Sequence, residues 1–205
     1  MCALVASQRN RRVLVIDHAN KVGKKILMSG GGRCNFTNMY CEPGHFISNN
    51  VNFCKSALSR YTPYDFIELV NKHNIPHHEK KLGQLFCDNK SKDILEMLLN
   101  ECHSSGANIR THCSVNNIKP TDNGFEVETN LGQTNCQSLV VATGGLSIPT
   151  MGATGFGLSC PQFKLDVMLH ASTCFQFTAD KITLGKLLGL SGSSLPSACL
   201  QQKEL

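Results

Sequence analysis

The stretch from residue 11 to residue 38 constrains the fold more than any other part of the chain. RRVLVID (11 to 17) holds an uninterrupted apolar run, Val13 to Ile16, closed by Asp17, and GKKILMSGGGRCNFTN (23 to 38) follows it. A short, fully apolar run suits a parallel strand buried on both faces better than a strand with one wet face. Three consecutive glycines open the left-handed region to the backbone and let a ligand approach it closely. A strand, a glycine-rich loop and then a set of polar donors predict an α/β unit with a ligand beyond the C-terminal end of the strand.

The remaining pattern fits that frame. CALVASQ (2 to 8) reads as a helix ahead of the strand, and VNFCKSALSRY and PYDFIELVNKHN (63 to 74) read as two more, the second started by Pro63 and closed before Pro76. HHEKKLGQLFCD (77 to 88) carries Gly83 between two extended pieces, a hairpin. SKDILEMLLNECHSSG (91 to 106) is the clearest helix, with Ser91 as its cap, Ile94, Leu95, Leu98 and Leu99 on one face, and Gly106 at its end. Short strands follow in NIRTHCSVNNIKP, GFEVETN and GQTNCQS, and SLVVATGG (138 to 145) reads as a second apolar strand running into glycine. The order describes an α/β sheet with a β-meander inserted in a crossover. Beyond residue 150, glycine, serine and proline interrupt every candidate element.

The chain has 205 residues, 41 % hydrophobic and 17 % charged, which excludes a disordered protein. Its net charge of +5 suits an anionic partner, but the basic groups at 9 to 12 and 21 to 25 have no interleaved aromatic residues, so no nucleic-acid partner is expected. Eleven cysteines without a C-x-x-C pair read as reduced thiols of a cytoplasmic protein. No stretch has the length of a membrane span, and no membrane partner is expected. His73, His77 and His78 with Cys87 lack the tight ligand spacing of zinc sites, since Pro76 breaks the helical relation, and no metal is expected.

Asp17 stands where nucleotide-binding α/β units place an acidic residue that accepts from ribose hydroxyls. Asp is also an ordinary residue after a strand, and the G-x-G-x-x-G loop that should precede such a unit is not in the chain. Gly30, Gly31 and Gly32 offer bare backbone, while Arg33, Asn35, Thr37 and Asn38 offer donors for phosphate, ribitol or ring oxygens. Cys34 has no nearby histidine base in sequence and reads as a small packed residue.

GKKILMSGGGRCNFTN, KKLGQLFCDNKSKDIL and VVATGGLSIPTMGATGFG together resemble the aminoacetone-oxidase-like and bile-acid-reductase-like family of FAD-binding flavoproteins, over residues 1 to about 157. The resemblance implies a partial Rossmann-like FAD-binding domain over residues 1–164, with a parallel sheet and the inserted meander. The start of an inserted substrate domain follows at 165–205. It implies FAD as cofactor, NAD(P)H as a candidate electron donor, and a small-molecule substrate. The implied cofactor ligands are Asp17, Lys24, the loop Ser29, Gly30, Gly31, Gly32, Arg33, Cys34, Asn35, Thr37 and Asn38, then Val115, and the turn Ala142, Thr143, Gly144 and Gly145. No catalytic residue is implied. Family members are about twice as long, so the chain resembles a member truncated at both ends. Two outcomes follow: a fragment of an FAD-dependent oxidoreductase, or a non-enzymatic remnant with weak or no flavin binding. A sheet without its first strand also predicts self-association through the exposed edge.

Overall fold

The computed structural model describes residues 1–47, 50, 52–144, 152 and 154–156, together with the backbone of 201–202. Helix α1 (Cys2–Gln8) leads into β1 (Leu14–Ile16), which runs parallel to β6 (Asn108–Arg110) with Val15 opposite Ile109. The parallel pairing and the α/β class are those expected, whereas the burial of β1 is not. Leu14 is 38 % exposed, and Val15 and Ile16 are only partly covered. The apolar run predicts cover on both faces, but among the described residues β1 has a single strand neighbour. Apolar content marks a strand's tendency to be buried, and a parallel strand is buried only where further layers meet it.

After β1 come α2 (Lys24–Met28), a 3₁₀ turn at Ser29–Gly32 and β2 (Asn35–Asn38). β3 (Phe46–Ile47) pairs with β10 (Gln201–Gln202). Helix α3 (Lys55–Arg60) precedes α4 (Pro63–Lys72). Thr62 caps α4 reciprocally: Asp65 N–H donates to Thr62 Oγ1 at 3.3 Å, and Thr62 N–H donates to the Asp65 carboxylate at 2.6 Å. The hairpin forms as expected from β4 (His77–Glu79) and β5 (Gln84–Cys87), and β2 joins its other edge to give the antiparallel order β2-β5-β4.

Helix α5 (Ser91–Ser104) ends where the sequence places its end. Gly106 takes φ 82, its N–H donates to His103 O, and Ala107 N–H donates to Cys102 O, the two bonds of a Schellman motif. The expected cap is wrong, however. The N-cap is Lys90, and Ser91 is buried with its hydroxyl donating to Leu27 O of α2 at 2.9 Å. A serine beside a helix start serves a neighbouring carbonyl when packing brings one close, and sequence spacing does not reveal that.

One core fills the space between α4, α5 and the β2-β5-β4 sheet: Cys34, Phe36, Phe66, Val70, Ile75, Leu85, Cys87, Ile94 and Met97. Phe66 and Val70 reach it from successive turns of α4, and the Phe36 and Phe66 rings meet at 5.9 Å. The meander β7 (Val115–Thr121), β8 (Gly124–Thr129) and β9 (Gly132–Cys136) packs Ile118 and Val127 into a smaller cluster with Phe125, Leu139 and Phe156.

The second apolar strand expected at 138 to 145 does not form within residues 138–144. Val141 is buried, but the segment joins none of the sheets. An apolar run becomes a strand only with a ladder partner, so apolar content alone does not make one. Gly145 and the segment expected to open a second domain, residues 165–205, lie outside the described residues apart from the backbone of 201–202. No helix among the described residues is long and apolar enough to cross a membrane.

Candidate functional site

Four segments make up the candidate site: β1 leads into Asp17, the chain continues into α2 and its glycine turn, and Gly144 and Gly152 approach Lys25 and His18. Asp17 extends the parallel pair: its N–H donates to Arg110 O at 2.9 Å, and its carbonyl accepts from Cys113 N–H at 3.0 Å. One carboxylate oxygen, Oδ1, accepts from Ala19 N–H at 2.8 Å and lies 3.9 Å from His18 Nδ1. The other oxygen has no hydrogen-bond partner among the described residues, and the side chain is 34 % exposed. Asp17 is thus fixed by one oxygen and presents the other. The Cys113 bond also brings in Val115, two residues further along, where β7 begins.

The second segment is α2 with its glycine turn. Gly23 opens α2 at φ 72, and a β-carbon there would lie 2.4 Å from Leu95 of α5. The left-handed φ favours glycine there, and its missing side chain leaves room for Leu95 of α5. Ser29 Oγ donates to Ile26 O at 2.7 Å, so its hydroxyl closes α2. Gly30, Gly31 and Gly32 then take φ 58, 65 and 85, a run of left-handed residues that L side chains resist. Their surroundings differ. A β-carbon on Gly30 would meet Asn35 N at 2.7 Å and the Phe86 ring at 2.8 Å, whereas one on Gly31 or Gly32 would meet nothing within 4 Å. Gly30 is the packed hinge, and Gly31 and Gly32 form the open lip.

Beyond the lip the expected ligand residues divide. Arg33 is exposed, and its carbonyl accepts from Cys87 N–H at 3.0 Å, which ties the loop to β5. Cys34 is 1 % exposed, and burial pushes its thiol above the usual range against a hydrogen bond with Ser29 that pulls it down. Asn35 is buried; in the amide orientation that satisfies its surroundings, it donates to Leu85 O at 3.2 Å and Thr37 O at 3.0 Å. Asn38 donates to Leu82 O at 3.0 Å and accepts from Tyr40 N–H at 2.8 Å. The side chains of Asn35 and Asn38 are therefore engaged by the protein's own backbone. Thr37 is partly buried on β2.

The third segment is the turn at Ala142, Thr143 and Gly144, the first two exposed. Gly144, at φ 73, stands with its β-carbon position 3.6 Å from Lys25 Nζ, so this turn lies against α2. The fourth is Gly152, whose β-carbon position is 3.1 Å from His18 Nε2. Lys25 and His18 are thus site neighbours that sequence reasoning missed. The doubled lysine at 24 and 25 was a signal for the first, since one helical turn cannot aim both side chains the same way. Nothing in sequence flags His18. Lys21, Lys24, Lys25 and Arg33 follow Asp17 in the chain, so the segment after β1 carries an excess of positive charge, suited to an anionic ligand.

Residues 1–181 match the family described as HI0933-like protein Rossmann domain. The ribosomal RNA dihydrouridine synthase of Escherichia coli is 48 % identical over 197 residues, covering 96 % of this chain and 49 % of that protein. The protein of the same name from Haemophilus influenzae is 45 % identical over 203 residues, covering 95 % and 50 %. A 3-dehydro-bile acid delta(4,6)-reductase from Clostridium scindens is 22 % identical over 156 residues, covering 76 % and 38 %. The chain spans about half the length of these two synthases. The bile-acid-reductase side of the expected resemblance is present, while the two relatives of high identity carry a different name from the aminoacetone oxidases. With a match across residues 1–181 and this site at the end of its first parallel strand, the chain belongs to the HI0933-like Rossmann-domain family.

Proposed function

We propose that this chain is the cofactor-binding part of an FAD-dependent oxidoreductase that reduces uridine in ribosomal RNA. The observation that carries the cofactor is the lip at Gly31 and Gly32, two left-handed glycines whose missing side chains leave open space beside Arg33. A dinucleotide fits the donor set. The presented oxygen of Asp17 accepts from ribose hydroxyls, Lys24 and Arg33 oppose phosphate charge, and the glycines let a flat ring or a pyrophosphate lie against backbone. Val115, Ala142, Thr143 and Gly144 complete the proposed wall, and Ser29, Cys34, Asn35, Thr37 and Asn38 shape it from behind. FAD, when bound and reduced, supplies a hydride. The residues of this chain orient that chemistry and exclude water from it, and a donor such as NAD(P)H would renew the reducing equivalents.

The substrate reading rests on the two relatives named ribosomal RNA dihydrouridine synthase, with identities of 48 % and 45 %. Formation of dihydrouridine adds a hydride and a proton across the C5=C6 bond of uracil, a reaction within the reach of a flavin site. This reading proposes RNA in place of the small-molecule substrate that the resemblance implies, and against the expectation from composition that no nucleic acid binds. The test is nucleoside mass spectrometry of ribosomal RNA from Escherichia coli cells that lack their own synthase and express this chain. Restored dihydrouridine supports the reading. Flavin-loaded chain with no dihydrouridine would favour the remnant that binds cofactor without turnover.

A further inference from the structure

The positive charge of this chain is not spread evenly. Seven of the 20 Lys and Arg residues but one of the 15 Asp and Glu residues lie within residues 1–33, a net of +6, which leaves −1 for the other residues. The cofactor accounts for Lys24, Lys25 and Arg33, which follow the C-terminal end of β1, where ligands of parallel sheets bind. It does not account for Arg9, Arg11 and Arg12. These precede β1, at the opposite edge, and Arg12 is five residues of extended chain from Asp17, roughly 16 Å.

The loop that bears them is built. Asn10 takes φ 59, its N–H donates to Ser7 O at 2.9 Å, and Arg11 N–H donates to Ala6 O at 3.2 Å, so α1 closes in a Schellman motif with an arginine on each side of the left-handed residue. All three arginines are exposed, and none forms an ion pair among the described residues. The helix against which α1 packs offers no free acid. On α5, Glu101 pairs with Lys72 and His73 at 2.7 Å, Glu96 pairs with Lys92 at 2.8 Å, and Asp93 accepts from the Lys90 N–H. The carbonyls at the end of α1 favour a cation nearby, which explains one arginine but not three.

We propose that the loop of Arg9, Arg11 and Arg12 is a contact surface for the phosphate backbone of the RNA substrate, an inference that rests on the RNA-modifying reading above. Arginine forks match phosphate oxygens bidentately, and a rigid loop holds the three forks without the entropy cost of ordering a tail. RNA gripped there lies a distance of about 16 Å along β1 from Asp17, so the surface positions the substrate and leaves the chemistry to the other edge.

The test is fluorescence anisotropy of a fluorescein-labelled stem–loop of ribosomal RNA, titrated with the FAD-incubated chain over a series of NaCl concentrations. The triple variant R9Q/R11Q/R12Q is expected to raise Kd about tenfold or more and to lower the slope of log K against log salt by about 2, since each lost phosphate contact removes roughly 0.7–0.9. Flavin retention should be that of the parent chain. The control K80Q/K81Q/K90Q removes the same charge around the hairpin and is expected to leave the slope nearly unchanged. Equal binding by the arginine variant would overturn the proposal, as would an equal loss in the control or a flavin-loaded parent chain that binds no RNA. A chain that binds RNA through these arginines but forms no dihydrouridine would sink the enzymatic reading and leave the surface standing.

Discussion

Cys113 donates its backbone N–H to the carbonyl of Asp17 at 3.0 Å, and through this bond the residue that ends β1 is tied to the start of the meander. The Asp17 backbone is therefore held from both sides, by Cys113 and by Arg110, while only one carboxylate oxygen is used within the protein. D17N keeps an oxygen for the Ala19 N–H. It should change stability by less than about 0.5 kcal/mol while weakening FAD binding about tenfold, a loss of roughly 1.4 kcal/mol. D17A should lower both. Urea unfolding and flavin titration separate the two effects.

Gly30 and Gly31 should part company on substitution. G31A places a methyl group at φ 65 in open space and should cost about 1–2 kcal/mol of stability while removing most flavin retention. G30A drives the same methyl group into Asn35 N and the Phe86 ring, at 2.7 and 2.8 Å, and should cost about 1–3 kcal/mol more. Denaturation midpoints and bound flavin, measured on both variants, check the contrast.

Glu101 joins α5 to the end of α4, with Lys72 Nζ and His73 Nε2 each 2.7 Å from Oε1. The hydrogen bond from Lys72, then that from His73, holds its carboxyl below the ordinary value of 4.5. A carboxylate held low in the folded state stabilises it above the unfolded pKa, and that stability fades as pH falls below about 4.5 through the folded value. E101Q should lose about 1–3 kcal/mol at neutral pH and show a shallower acid limb in a pH series of urea midpoints.

Cys34 and Cys87 should resist alkylation in the folded chain. Both are at most 1 % exposed, and burial pushes the Cys87 thiol up to about 12. Among the cysteines of the described residues, iodoacetamide at pH 8 should label the partly exposed Cys2, Cys41 and Cys136 first, and Cys34 and Cys87 only on unfolding, as peptide mass spectrometry would show.

Local features of the fold were legible wherever one residue type dictates the backbone. Gly83 turns the hairpin at φ 75, Gly106 ends α5 at φ 82, and Pro63 with the Thr62 cap starts α4. Features that depend on what packs nearby were not. Ser91 serves Leu27 because α2 lies on α5, and Leu139 to Ala142 form no strand although they are as apolar as β1. The site divides the same way. The open lip at Gly31 and Gly32 follows from three glycines in a row, but the contact of Gly144 with Lys25 bridges segments more than a hundred residues apart in the chain. Asn35 and Asn38 have the chemistry of ligands, and only geometry shows their amides bonded to backbone.

The central claim is that this chain carries one wall of an FAD site. The visible absorption spectrum of the purified chain, incubated with FAD and desalted, tests it most directly. A flavin band that stays with the parent chain and is lost in G31A is the predicted result. A colourless parent chain would contradict the account.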